Sequence, residues 1–337
     1  MPEIKLPGSY RPILSVYETQ KAIGLLKRLF EDRLAGLLGL RRVSAPLFVS
    51  AASGLNDDLS GSERPVSFDI RGVEGTAVVV HSLAKWKRLA LKRYQFAPGE
   101  GLYTDMNAIR RDEDLDYLHS AYVDQWDWEK IITPEQRNEA FLRSTVEDIV
   151  CALADTQSFL NSVFPKLSVL PQLDGHVTFV TAQELEDRYP DLPPKEREHA
   201  FTREHPVNFI IGIGGKLRSG KPHDTRAPDY DDWNLNGDLL CWDSVNGKAM
   251  ELSSMGIRVD PATLDRQLAL SGCDSRRDLP FHRMLLAGEL PQTMGGGIGQ
   301  SRVSMLLLGK AHIGEVQSSL WDSGSIESCE KAGVTLL

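Results

Sequence analysis

The sequence predicts a single mixed α+β domain, and three observations carry that expectation. At 337 residues the chain is long enough to bury one substantial core. Hydrophobic residues at 41% and charged residues at 25% are ordinary for a globular protein. Its short apolar runs are not regularly interleaved with helical stretches, which argues against a doubly wound parallel sheet.

The elements follow in order. Ile23, Leu26, Phe30, Leu34 and Leu37 recur at helical spacing between Ser15 and Leu38. Lys21, Lys27, Arg28, Glu31 and Asp32 fill much of the other face, so this reads as an amphipathic helix. Arg42 to Val49 reads as a strand whose Pro46 suits an edge or a strand end. Further strand candidates are Thr76–Val80, Leu118–Val123, Val177–Thr181, Phe209–Ile213, Leu239–Trp242 and Glu251–Val259. Helical stretches are expected at Glu135–Phe164, Pro261–Ala287 and Ser301–Leu308. The polar stretch Glu184–Glu204, with Pro190, Pro193 and Pro194, reads as a surface excursion. No repeat or linker divides the chain.

Composition excludes several function classes. With 38 Lys+Arg against 47 Asp+Glu the net charge is -9, a poor match for a polyanionic nucleic acid. No apolar run approaches the ~20 residues that span a bilayer, and Met1 to Lys5 is too polar to open a secretory signal. The 4 cysteines (Cys151, Cys241, Cys273, Cys329) are far apart and form no CxxC pair, as expected of reduced thiols in a cytoplasmic protein. The 8 histidines include no HExxH, so a histidine-based metal site is not expected.

Two glycine motifs fail on inspection. Gly215 to Lys221 matches most of a phosphate-binding P-loop, but Pro222 stands where a magnesium-ligating hydroxyl belongs. Gly295 to Gly299 does not complete a dinucleotide fingerprint, because Arg302 occupies the third glycine position.

Three separated segments make chemical sense together. Gly39 to Pro46 reads as a helix end running into a strand that stops at proline. Arg110-Arg111-Asp112-Glu113, followed by His119 to Asp127, reads as a charged loop between two strands. Period-two geometry there puts Val123, Gln125 and Asp127 on one face. A buried amide and carboxylate side by side call for a polar ligand. Gly295 to Arg302 then enters an apolar helix: its glycines admit a flat ligand such as adenine, and its arginine can hold a phosphate with two donors.

In this order the three segments resemble motifs 1, 2 and 3 of the class II aminoacyl-tRNA synthetase catalytic fold, at about residues 39–46, 102–127 and 295–308 of one catalytic domain spanning 1–337. Within that superfamily the chain is similar to the ammonia-dependent asparagine synthetases of the A type. The likeness rests on Asn56 to Gly61, His81 to Arg88, Gly99 to Thr104, Tyr122 to Glu129, Arg226 to Trp233 and Glu251 to Arg258. Departures are a longer amino terminus and a shorter stretch between Trp233 and Asn236.

The resemblance implies a mainly antiparallel sheet flanked by helices, and a homodimer through motif 1. It implies that L-aspartate, ATP and ammonia give asparagine, AMP and diphosphate through β-aspartyl-AMP, with Mg2+ on the phosphates. Arg110 would lie on the α-phosphate and Arg302 on the γ-phosphate, with Gly297 and Gly299 also at the ATP. Asp238 and Glu251 match the magnesium carboxylates. Lys87 and Arg258 would hold the α-carboxylate, with Ser82, Gln125 and Asp127 around the amino group. Asp57, with Asp231 as the other candidate, would take a proton from ammonium. A tRNA partner is not expected, since only about 38 residues precede motif 1 and the charge is -9. No cysteine opens the chain to act as an amidotransferase nucleophile, so free ammonia is the expected nitrogen source.

Overall fold

The computed structural model describes residues 6–57 and 63–337. Asp58 to Gly61, part of one run quoted above, and Met1 to Lys5 lie outside the described residues. The chain opens with α1 (Val16–Leu38), β1 (Leu40–Arg42), β2 (Phe48–Ser50), β3 (Ser67–Ile70) and β4 (Val73–Val79). Next come α2 (Ala84–Arg93), β5 (Gly101–Ile109), β6 (Tyr122–Ile131), α3 (Glu139–Val163), β7 (Thr178–Thr181), α4 (Ala182–Arg188) and α5 (Pro194–Glu204). β8 (Val207–Ile211), β9 (Asp231–Asp243), β10 (Lys248–Arg258), α6 (Pro261–Leu270), α7 (Pro280–Leu286), β11 (Thr293–Gly299), α8 (Gln300–Leu307) and α9 (Ser323–Ala332) complete it.

The main sheet has eight strands in the order β1-β5-β6-β11-β10-β9-β8-β7, and a three-stranded sheet has the order β2-β4-β3. In the large sheet β1–β5 and β7–β8 pair in parallel, and every other neighbouring pair is antiparallel. The α+β class is as expected.

Helix α1 starts where Ser15 and Glu18 cap each other reciprocally and stops at Gly39, whose φ of 70° suits glycine. It packs with α3 on one sheet face, where Phe30 lies 4.5 Å from the Trp126 ring. Trp126 and Trp128 are fully buried, and truncating either to alanine would cost about 3–5 kcal/mol. Alternation on β6 then sends Gln125 and Asp127 to the opposite face. There α2 packs over β5 and β6 through Leu83, Trp86, Ala90, Leu102 and Met106.

Several local expectations need correction. Leu37 is exposed, and Leu38 turns inward in its place. The strand expected from Arg42 to Val49 divides around Pro46 into β1 and β2, which belong to different sheets. Leu118 to Ala121 is a loop, and the strand begins at Tyr122. The helix expected over Pro261–Ala287 breaks after α6, near Gly272 with φ 64°. Glu184–Glu204 is helical over much of its length, with Arg197 and Glu198 buried and Glu198 hydrogen-bonded to His223 at 3.0 Å. Gly295 to Gly299 is the inner strand β11. The near-P-loop residues Lys216 and Pro222 pair in an antiparallel bridge, which is no phosphate cradle.

Candidate active site

A cleft of about 560 Å3 opens on the sheet face away from α1 and α3. It gathers Asp57, Ser82, Lys87, Arg110, Gln125, Asp127, Asp231, Glu251, Arg258, Gly297, Gly299 and Arg302 from across the sequence. Asp238 is the one expected site residue outside this lining; it lies behind Arg226, which lines the cleft and forms an ion pair with it.

One end combines buried cations with carboxylates. Lys87 reaches in from α2 to donate to the Gly296 carbonyl at 2.8 Å and lies 3.3 Å from Asp127 Oδ1. Burial pulls the Lys87 pKa down, although Asp127 and Glu129 oppose this. Asp127 Oδ2 is buried without a hydrogen-bond partner. Arg258 donates from Nε to Glu129 Oε1 at 3.0 Å, from Nη2 to Glu129 Oε2 at 2.7 Å, and from Nη1 to Asp231. Burial raises the Asp231 pKa against the pull of Arg258. At Glu129, burial is outweighed by Arg258 and Lys87, and the pKa is lowered. A guanidinium has five N–H donors, so Arg258 retains two beyond these three bonds.

Ser82 accepts from the Ala84 backbone N–H at 3.1 Å, holding the entry to α2 beside the cleft. Asp57 is buried, and its backbone carbonyl lies 3.0 Å from His81 Nδ1.

The other end is dominated by arginines. Arg110 follows β5, is 3.8 Å from Glu113, and has a buried Nε without a hydrogen-bond partner. Arg302, in the first turn of α8, donates to the Glu251 carbonyl at 2.9 Å and lies 3.7 Å from its carboxylate. Burial works against the Glu251 charge, but Arg302, Lys195, Arg226 and Arg110 together lower its pKa. Asp238 behaves oppositely: burial, with Glu251 adding repulsion, raises its pKa despite Arg226.

The donor chemistry at Asp238 and Glu251 fits a magnesium ion. The two acids sit on the paired strands β9 and β10, and Asp238 Oδ1 is buried without a hydrogen-bond partner. Among the described residues no group of three or more His, Cys, Asp or Glu is placed to hold a metal ion. Magnesium takes one or two carboxylates and fills its other positions with phosphate oxygens and water, so two acids are enough to hold it.

Residues 17–333 match the family model described as aspartate-ammonia ligase. The chain belongs to the aspartate–ammonia ligase family. It is 59% identical over 339 aligned positions to the aspartate–ammonia ligase of Clostridium perfringens strain SM101, covering 100% of both chains. It is 57% identical to that of Lactobacillus acidophilus, covering 98% of this chain and 99% of the other. The ligase also has the fold of the asparaginyl-tRNA synthetase of Entamoeba histolytica solved with asparaginyl-adenylate, at TM-score 0.69 and 14% identity, over 90% of this chain and 66% of that one. The Pyrococcus horikoshii asparaginyl-tRNA synthetase matches at TM-score 0.65 and 14% identity, over 89% of this chain and 68% of that one. These likenesses establish the class II synthetase fold; family membership establishes a ligase that makes asparagine from aspartate.

Several residues of the ligase site were not assigned from sequence. Arg226 and Glu129 lie inside runs that carried the family likeness, yet nothing in their spacing announced a role. The run Asp229–Asp232, of which only Asp231 was assigned a role from sequence, is buried at its three aspartates. Asp229 accepts from Lys85 at 3.1 Å, His282 at 2.9 Å and Arg276 at 2.9 Å, tying the loop before β9 to α2 and α7.

Gly297, which lines the cleft, has a packing consequence of its own. A Cβ there would lie 2.6 Å from Asp127 Oδ1 and closer still to Gln125 Oε1, so its missing side chain makes room for those two groups. Gly297→Ala is expected to displace both and to lower kcat/KM for aspartate about 100-fold, as sub-ångström misplacement of positioning groups does. Steady-state assays with varied aspartate test this, and unchanged kinetics would contradict the packing account.

Proposed function

We propose that the cleft activates the side-chain carboxylate of aspartate with ATP and then passes the acyl group to ammonia. A free carboxylate is a poor acyl donor, and adenylation converts one of its oxygens into part of a good leaving group. In the first step the β-carboxylate attacks the α-phosphorus and diphosphate leaves. In the second, ammonia attacks the β-carbonyl carbon, the bond to the adenylate oxygen breaks, and AMP leaves.

The observation that carries this reading is the division of one cleft into an arginine-rich end and an end with buried cations beside carboxylates. Arg110 is suited to the α-phosphate because so few groups engage it, leaving donors for charge that develops in the transition state. Arg302 is suited to the γ-phosphate, with Arg226 a further cation beside it. Lys87 and the two remaining Arg258 donors are suited to the α-carboxylate, and Asp127 Oδ2 to the ammonium of the amino acid. Asp57, buried in the cleft lining, is proposed as the group that takes a proton from ammonium, with Asp231 the other candidate. Asp238 and Glu251 would hold Mg2+, which when bound supplies positive charge to the phosphates. The synthetases solved with asparaginyl-adenylate support the capacity of this fold for an acyl-adenylate.

A homodimer is part of the same proposal, supported by the exposed apolar side chains Leu47, Phe48, Phe68 and Val73 in and beside the small sheet. The decisive assay mixes the protein with aspartate, ATP, magnesium and ammonium. Asparagine with an equal amount of AMP is the expected result, and ADP would overturn the adenylate route.

A further inference from the structure

We infer that His81 holds the incoming ammonia, through its Nε2 lone pair, for attack on the activated carboxylate; this rests on the adenylate reading above. His81 ends the segment after β4, lines the cleft beside Ser82 and Asp57, and is 1% exposed. Its Nδ1 lies 3.0 Å from the backbone carbonyl of Asp57. A carbonyl oxygen only accepts, so Nδ1 carries the proton in that bond, and Nε2 of the neutral ring is left as an acceptor. Nε2 is buried and has no hydrogen-bond partner. A second anchor fixes the segment, because the His81 backbone N–H donates to Asn56 Oδ1 at 2.8 Å. The ring is therefore held in one tautomer and one place, with a buried acceptor that has no partner among the described residues.

An unpaired acceptor of this kind costs about 1–3 kcal/mol and calls for a donor. Aspartate brings its donors to the Asp127 end, and ATP brings mainly acceptors to the arginines. Ammonia is the small reactant rich in N–H groups that remains. Ammonium gives one proton to the Asp57 carboxylate and a hydrogen bond to His81 Nε2, and its freed lone pair forms the C–N bond. The C–O bond to the adenylate then breaks with its electron pair leaving on AMP, and a second N–H proton passes from the nitrogen to the departing phosphate group as the amide forms. His81 is neither oxidised nor protonated in this sequence.

Two near-isosteric substitutions separate this role from a structural one. His81→Asn keeps a donor near the Nδ1 position for the Asp57 carbonyl and removes the acceptor. His81→Gln carries an amide oxygen to the Nε2 position and loses the Nδ1 bond. The KM for ammonium is measured in both, alongside aspartate-dependent exchange of labelled diphosphate into ATP, which reads adenylation alone and reports that the fold is intact. His81→Asn is expected to raise the ammonium KM about tenfold or more with exchange within about twofold of normal, and His81→Gln to lie close to the parent enzyme. The reverse ranking, or an unchanged ammonium KM in His81→Asn, would overturn the inference. Absence of exchange in the parent enzyme would instead refute the adenylate reading.

Discussion

Arg258→Met is expected to destabilise the protein by about 3–5 kcal/mol and to abolish asparagine formation, because it strands two carboxylates that burial has removed from water. Glu129 and Asp231 are 0% and 2% exposed, and Arg258 bonds to both. The sign of the pH dependence follows. Without the guanidinium both carboxyl pKa values rise above their unfolded values, so the folded state of the variant binds the extra protons. Its stability is then greatest at acidic pH and is lost as pH rises through the raised values. Denaturant titrations at several pH values would measure this. Adding Glu129→Gln and Asp231→Asn to Arg258→Met is expected to restore much of the stability without activity. Failure of that rescue would mean that the arginine acts through packing and not through charge.

The same triad marks where sequence reading succeeds and where it stops. Helix α1 and the returning strand of the second motif were legible because Phe30 and Leu34 follow the helical period and Val123, Gln125 and Asp127 the period of two. Helix α2 was not, since Lys85, Lys87 and Arg88 are all buried on it and erase the apolar stripe that would announce a helix. Strand β11 was hidden for a related reason. At Gly295 a side chain would collide with Glu129 and Arg258, and at Gly297 with Asp127 and Gln125, so the strand carries glycines where β-formers are usual. Both omissions fall on elements that build the site, where local preference yields to the space and charge that the ligand end requires.

Family likeness located the cleft residues that periodicity left unassigned. It did not reveal their pairing. That Arg258 is shared between Glu129 and Asp231, or that Arg226 screens Asp238, depends on contacts between strands distant in sequence.

Arg110→Ala is the second large effect, an expected fall in kcat of about 100- to 1000-fold with stability little changed. Among the described residues the guanidinium has one ion pair, at 3.8 Å to Glu113, so its removal strands little charge. Its donors are available for the negative charge that builds on the α-phosphoryl oxygens as the carboxylate adds. Arg110→Lys restores charge without the planar fork, and an intermediate rate is expected of it. Rapid-quench measurement of adenylate formation tests both variants. A normal burst in Arg110→Ala would place the transition-state charge elsewhere in the cleft.

The central claim is that the side-chain acid of aspartate, and not its main-chain acid, attacks the α-phosphorus. Aspartate labelled with oxygen-18 in its β-carboxylate measures this directly. A single turnover analysed by mass spectrometry is predicted to leave one labelled oxygen in AMP and one in the asparagine amide. Label appearing in inorganic phosphate, or AMP labelled only when the α-carboxylate carried the isotope, would contradict it.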